Sequence, residues 1–154
     1  MATTFDLEAE LAAGREDAKR TVERERTNAA AGLAEALNTT RAAKGPSPKA
    51  VSRLRRAIKT MDEGRQAAAK AAKICLDVID CEPDFALAHH AMALALERLG
   101  RLSTALTFYQ RAWELDPGDP EVYLNLGMVA WKLDMLEAAE KFMRLHVKMK
   151  PESA

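Results

Sequence analysis

The sequence predicts an all-α chain built from stacked antiparallel helical hairpins, and three observations carry that reading. Pro83, Pro117 and Pro151 recur at one fixed interval, and a constant interval of this size marks helical repeats. Ala71, Ala105 and Ala139 keep the same interval, and Cys75, Tyr109 and Met143 follow them four places later. Each unit between the prolines reads as a helix, a short turn, a second helix and a proline-marked stop.

Residues 1–45 differ in kind, being rich in Ala, Glu and Arg and ending in a Gly/Pro/Ser linker. Phe5, Leu7, Leu11, Val22, Leu33 and Leu37, with Ala18 and Ala29, make a thin apolar stripe near helical period. A helix of this kind gains most of its stability by packing on something else. The segment reads either as one helix, or two parted at Asn28 and Gly32, that dimerises or folds back on the repeats, or as a partly ordered charged tail.

Residues 46–83 form a degenerate first unit, with Ser47 before Pro48 marking the helix start. The repeat interval places Lys59 where a small residue is required. A shift of two would put Ala57 there instead, and Gly64 lies two residues ahead of the counterpart of Gly100, so both registers of this helix stay open. In residues 84–117, Asp84 is the expected N-cap, Gly100 ends the first helix in a left-handed conformation, and Ser103 caps the second. In residues 118–151, Asp119 caps the first helix with Pro120 at its first position, and Asp134 caps the second with Glu137 three residues on. Ala93 and Gly127 are small where the helices of a hairpin meet, with Ala105 and Ala139 opposite. Met92, Leu96, Leu99, Tyr109 and Leu115 fill one core unit; Tyr123, Leu126, Leu133, Met143 and Met149 fill the other.

The last unit thus reads Tyr123, Leu126-Gly127, Ala130, Ala139, Met143, Pro151, and the middle one His89, Met92-Ala93, Leu96, Ala105, Tyr109, Pro117. This resembles the tetratricopeptide repeat: an aromatic, Leu-Gly after two spaces, a large residue, Ala, an aromatic and a final Pro. The resemblance implies a superhelix with a concave groove, lined by the first helix of each unit, that holds a peptide or helix of a partner. It assigns to that groove Leu87, His90, Ala91 and Leu94, then Glu121, Leu124, Asn125, Met128 and Trp131. Leu94, Leu124, Met128 and Trp131 form an apolar strip, Met adapting to irregular shapes and Trp serving as an anchor; part of it could instead pack between units.

Arg53, Arg55, Arg56 and Lys59 are a local excess of positive charge. They read as a wet helix face or as a rim, through Arg53 and Arg56, that steers an acidic partner. A known variant of these grooves clamps a C-terminal carboxylate; the corresponding positions here are Arg56, Thr60, Ala91, Glu121 and Asn125. Glu121 would repel an anion, so terminal-carboxylate recognition is not expected.

The formal charge is zero, which gives no global pull toward nucleic acid or anionic membrane. The basic run has no aromatics interleaved for base stacking. The N-terminus lacks the basic start and apolar core of a signal peptide, and no apolar run is long enough to span a bilayer. Cys75 and Cys81, six apart on one helix, cannot easily bridge and lack metal-pair spacing, in keeping with reduced thiols and a cytoplasmic location. His89 and His90 are adjacent and make no chelating pair. No catalytic set, metal site or cofactor site is therefore expected. The reading is a non-catalytic protein–protein interaction module, an adaptor or chaperone-like scaffold. Its alternative is a regulatory or targeting domain of, or acting with, a larger enzyme; the plan is also similar to type III secretion chaperones. With no helix after the last repeat, Met143 and Val147 face an absent neighbour. Self-association, cover by the N-terminal helix, or descent from a longer protein would each account for that.

Overall fold

The computed structural model describes residues 46–150 together with Leu33; the readings for the rest of 1–45 and for Pro151 lie outside the described residues. The described chain runs α1 (Pro48–Thr60), a 3-10 turn (Met61–Glu63), α2 (Arg65–Cys81), α3 (Ala86–Arg98), α4 (Leu102–Leu115), α5 (Pro120–Lys132) and α6 (Leu136–Met149). The hairpins α1/α2, α3/α4 and α5/α6 stack in order, α2 packing on α3 and α4 on α5. The period is visible in the boundaries: α2, α4 and α6 end at Cys81, Leu115 and Met149, at the same interval as the prolines.

The first hairpin departs from the period at its leading helix. Ala57 is fully buried and Lys59 is exposed, so the two-residue shift applies and Ala57 is the counterpart of Ala93. The 3-10 turn holds the surplus, and Gly64 ends it at φ 140, a backbone open in practice to glycine. Ser47 caps α1 by accepting from the Ala50 amide, and its own N–H and hydroxyl bond the Glu82 carboxylate at the far end of α2. One serine thus ties both ends of the hairpin together.

Two expected caps hold and three do not. Gly100 adopts φ 76, and Asp119 accepts from the Glu121 amide at 3.0 Å ahead of Pro120. Asp84 is exposed and lies 3.6 Å from Arg111; buried Phe85 takes the N-cap of α3 instead. Ser103 lies inside α4, whose N-cap is Arg101. Asp134 lies at φ 62, and Met135 is the N-cap of α6. Asp134 occupies the place that Gly100 holds one repeat earlier, using the tolerance of aspartate for the left-handed region.

The inter-helix contact is close where small residues were expected. A Cβ on Gly127 would stand 2.9 Å from Met143 Cγ and 3.3 Å from the Ala139 carbonyl oxygen. Ala93, Ala105 and Ala139 are buried, as are Met92, Leu96, Tyr109, Tyr123 and Leu126. Leu99, Leu115, Leu133 and Met143 are only half-buried and Met149 is exposed; among the described residues no helix follows α6 to cover its outer face. Val147 and Leu136, each 45 % exposed, share that open face.

The repeat also shows in its polar bonds. His89 Nε2 donates to the Pro83 carbonyl at 2.7 Å, and Tyr123, its counterpart one repeat later, donates its hydroxyl to the Pro117 carbonyl at 2.9 Å. The aromatic position therefore anchors each first helix to the stop that precedes it. His146 bonds the Pro120 carbonyl at 2.8 Å and fixes α6 to the start of α5.

Candidate functional site

The first helices α1, α3 and α5 carry the residues assigned to the concave face. Applying the two-residue shift to the first hairpin gives Leu54 and Ile58 as the counterparts of His90 and Leu94, with Leu124 and Met128 following in α5. Leu54, Ile58, Leu94 and Met128 are each at most 2 % exposed, His90, Ala91 and Asn125 are buried, and Leu87, Leu124 and Trp131 are half-buried. The apolar strip therefore extends into α1, through residues that a rigid repeat register misses. The signal that identifies them is Gly64 read together with Ala57.

Three polar links cross between hairpins along the first helices. Asn125 Nδ2 donates to His90 Nε2 at 2.7 Å, leaving the His90 Nδ1 proton toward the Asp119 carboxylate 3.6 Å away. His90 also stands edge-on to Tyr109, ring centres 5.5 Å apart. Glu97, 4 % exposed, accepts from the Tyr109 hydroxyl at 3.0 Å and pairs with the Lys132 ammonium. Arg98 reaches back to Asp62 at 2.7 Å. Arg98 and Lys132 hold the same place in successive repeats and make the same kind of link, from the end of one first helix to an acid at the end of the preceding one. The sequence reading missed the Glu97 network; a glutamate in an otherwise apolar run of α3 was its only trace.

Charge at the head of α5 is balanced locally. Burial of the Asp119 carboxyl works to raise its pKa, but the His90 ring, the Glu121 amide and the Lys150 ammonium outweigh it and hold the group below the ordinary value of 3.8. Glu121 pairs with Lys150. Arg53 is bound to Asp77 of α2 at 3.0 Å, while Arg56 is exposed. Under the shifted register Arg56 and Thr60 leave the positions of a carboxylate clamp, and apolar Leu54 and Ile58 take them. Cys75 is fully buried in the core and Cys81 is exposed; burial pushes the Cys75 thiol up to about 12. Among the described residues no group of three His, Cys, Asp or Glu side chains could hold a metal ion. Among them, too, no helix is long and apolar enough to cross a membrane.

Hairpins repeating with a common period, a proline stop, a small residue at each crossing and a strip along the first helices define a helical-repeat solenoid. Tetratricopeptide-repeat models match residues 86–129 and 120–153. Residues 86–153 thus carry tetratricopeptide repeats. The chain is 35 % identical over 74 residues to FlbA of Caulobacter vibrioides (strain ATCC 19089 / CIP 103742 / CB 15), a match covering 48 % of this chain and 12 % of that protein. It thus spans about an eighth of the length of this curated relative. Its fold is similar to the second tetratricopeptide domain of Spaghetti (RPAP3) bound to the HSP90 peptide SRMEEVD. There the TM-score is 0.62 at 18 % identity, over 67 % of this chain and 94 % of that one. It is also similar to a mutant O-GlcNAc transferase of Thermobaculum terrenum, with TM-score 0.57 at 21 % identity over 68 % of this chain and 21 % of that one.

Proposed function

We propose that this chain is a non-catalytic protein-interaction module of the cytoplasm whose concave face holds an apolar, amphipathic segment. The observation that carries this reading is the apolar row at repeat-equivalent places of the first helices, Leu54, Ile58, Leu94, Leu124 and Met128, ending at half-buried Trp131, with His90 held in that row by Asn125. Amphipathic helices are recognised by such strips through residues spaced three and four apart. The histidines support a structural role: each is engaged in joining one helix to another or to a stop, through Pro83, Asn125 and Pro120. A terminal carboxylate is not the proposed ligand, since apolar Leu54 and Ile58 stand at two of the places of a carboxylate clamp.

The test is selection of peptides on the full chain from a display library, followed by titration of the winners. Selected peptides should be amphipathic and apolar. Leu124→Glu and Trp131→Ala should each weaken them at least tenfold, about 1.4 kcal/mol, and Val147→Glu on the open end should leave them unchanged. Peptides insensitive to the first two variants but lost on Val147→Glu would overturn the reading. A second reading places the hairpins, the first of them a degenerate repeat, as the interaction domain of a longer assembly; the match to only 12 % of FlbA favours it. The two readings share the same face.

A further inference from the structure

The concave strip is deeply buried, although α3 makes its closest helix contacts with α2 and α4 among the described residues. Ten consecutive residues of α3, Ala88 to Glu97, are buried. α4, by contrast, buries only Ala105, Tyr109 and Ala112, a single stripe. Among the described residues α3 meets α2 and α4 along its length, α1 and the 3-10 turn more briefly, and α5 through His90 and Glu97. A helix held that way in an open array keeps a free strip on its concave side. Nearly three turns without an exposed residue mean that the strip is covered.

Leu33 identifies the cover. The one described residue of the first 45, it is helical, 3 % exposed, and belongs to the same apolar cluster as Leu54, Ile58, Ala91 and Leu94. Twelve residues, 34–45, separate it from Pro46. The proposed segment ends at 37, and at roughly 3.3–3.6 Å each the eight residues 38–45 can span about 28 Å, more than two helix spacings of about 10 Å. Ala29, Leu33 and Leu37 recur every fourth residue, the spacing of one helix face. Ala88, Ala91 and Ala95 on α3 are fully buried and present no bulk against which such a helix would clash.

We propose that the N-terminal segment centred on Leu33, residues 22–37, fills the concave face in cis, so that an external segment gains the face only by displacing it. This rests on the groove reading above and adds its occupant. The thin stripe that cannot hold a helix alone becomes stable by lying in the groove. The population of chains open to a partner then sets the apparent affinity, which falls by the fraction that is open.

The experiment uses full-length Leu33→Asp and an apolar dye, 1-anilinonaphthalene-8-sulfonate. The variant should stay helical by circular dichroism and bind the dye several-fold more strongly than wild type. A synthetic peptide of residues 20–40 should reverse that gain, and the same peptide carrying L33D should not. Should Leu33→Asp unfold, Leu33→Ala takes its place, read by methyl resonances: Leu54 and Leu94 should shift, and exposed Leu76 should not. Unchanged dye binding in a folded Leu33→Asp, or unmoved Leu54 and Leu94 methyls in Leu33→Ala, would overturn the proposal. So would light scattering that finds a wild-type dimer turned monomer by Leu33→Asp, since the cover would then come from a second copy. If the dye result holds while selected peptides ignore Leu124→Glu, the groove reading alone fails.

Discussion

Gly127→Ala tests whether the hairpin contact is set by the absence of one methyl group. The new Cβ would lie 2.9 Å from Met143 Cγ, 3.3 Å from the Ala139 carbonyl oxygen and 3.4 Å from the Met143 amide nitrogen. Two effects oppose each other. Alanine in a helix interior is favoured over glycine by roughly 0.5–1 kcal/mol. Inserting a methyl into a packed contact costs typically about 1–3 kcal/mol. Half-buried Met143 can turn its side chain aside, but the Ala139 carbonyl and the Met143 amide belong to the backbone of α6 and move only with the helix. Overpacking should therefore win, with a net loss of about 1–2 kcal/mol, and each kcal/mol lowers Tm by about 2–4 °C in a chain of 154 residues. Thermal denaturation followed by far-ultraviolet circular dichroism reads this directly. Met143→Ala should recover part of the loss, because the nearest clash is with its side chain, and the double-mutant cycle should show that coupling. A Gly127→Ala protein more stable than wild type, with no coupling to Met143, would refute the close approach.

Three further outcomes follow from single residues. Asp134→Gly should stabilise by about 0.5 kcal/mol, since glycine relieves the left-handed backbone at φ 62; a denaturant midpoint below that of wild type would contradict it. Burial raises the Cys75 pKa above the ordinary 9.0 to about 12. Its neutral thiol therefore contributes stability that is whole below pH 9 and is lost as pH rises toward 12. In mildly alkaline buffer Cys81 should label with a maleimide and Cys75 only after unfolding, as mass spectrometry would read. Asp119 has a depressed pKa, so its contribution is present above 3.8 and lost as pH falls through the folded value. Asp119→Asn should cost roughly 1 kcal/mol at neutral pH through the weakened cap and charge contacts, and should flatten the acid limb of the stability profile; an unchanged limb would exclude Asp119 as its source.

How much of this was legible depends on which physics sets each feature. The repeat was legible because close packing of hairpins forces small residues and stops into a fixed period, so Ala93, Gly127 and the prolines could be read by spacing alone. The caps were legible where a side chain does the capping, at Ser47 and Asp119. They were misread at Ser103 and Asp134, where backbone conformation sets the turn and Arg101 and Met135 end up as the flanking residues. The groove assignment on α3 and α5 followed the repeat, but on α1 it slipped by two residues at the 3-10 turn, moving Arg56 off the face and Leu54 onto it. Glu97 was hidden because its partners, Tyr109 and Lys132, lie 12 and 35 residues away, and only the folded chain brings them together.

The most direct test of the covered groove is a spin label at position 35, introduced as Glu35→Cys with Cys81→Ser so that buried Cys75 is the only other thiol. Paramagnetic broadening is then read at methyls on the two sides of the array. The account expects the Leu54, Leu94 and Met128 methyls to broaden strongly in the monomer and Leu76, exposed on α2, to stay sharp. Equal broadening on both sides, or none at Leu94, would contradict it.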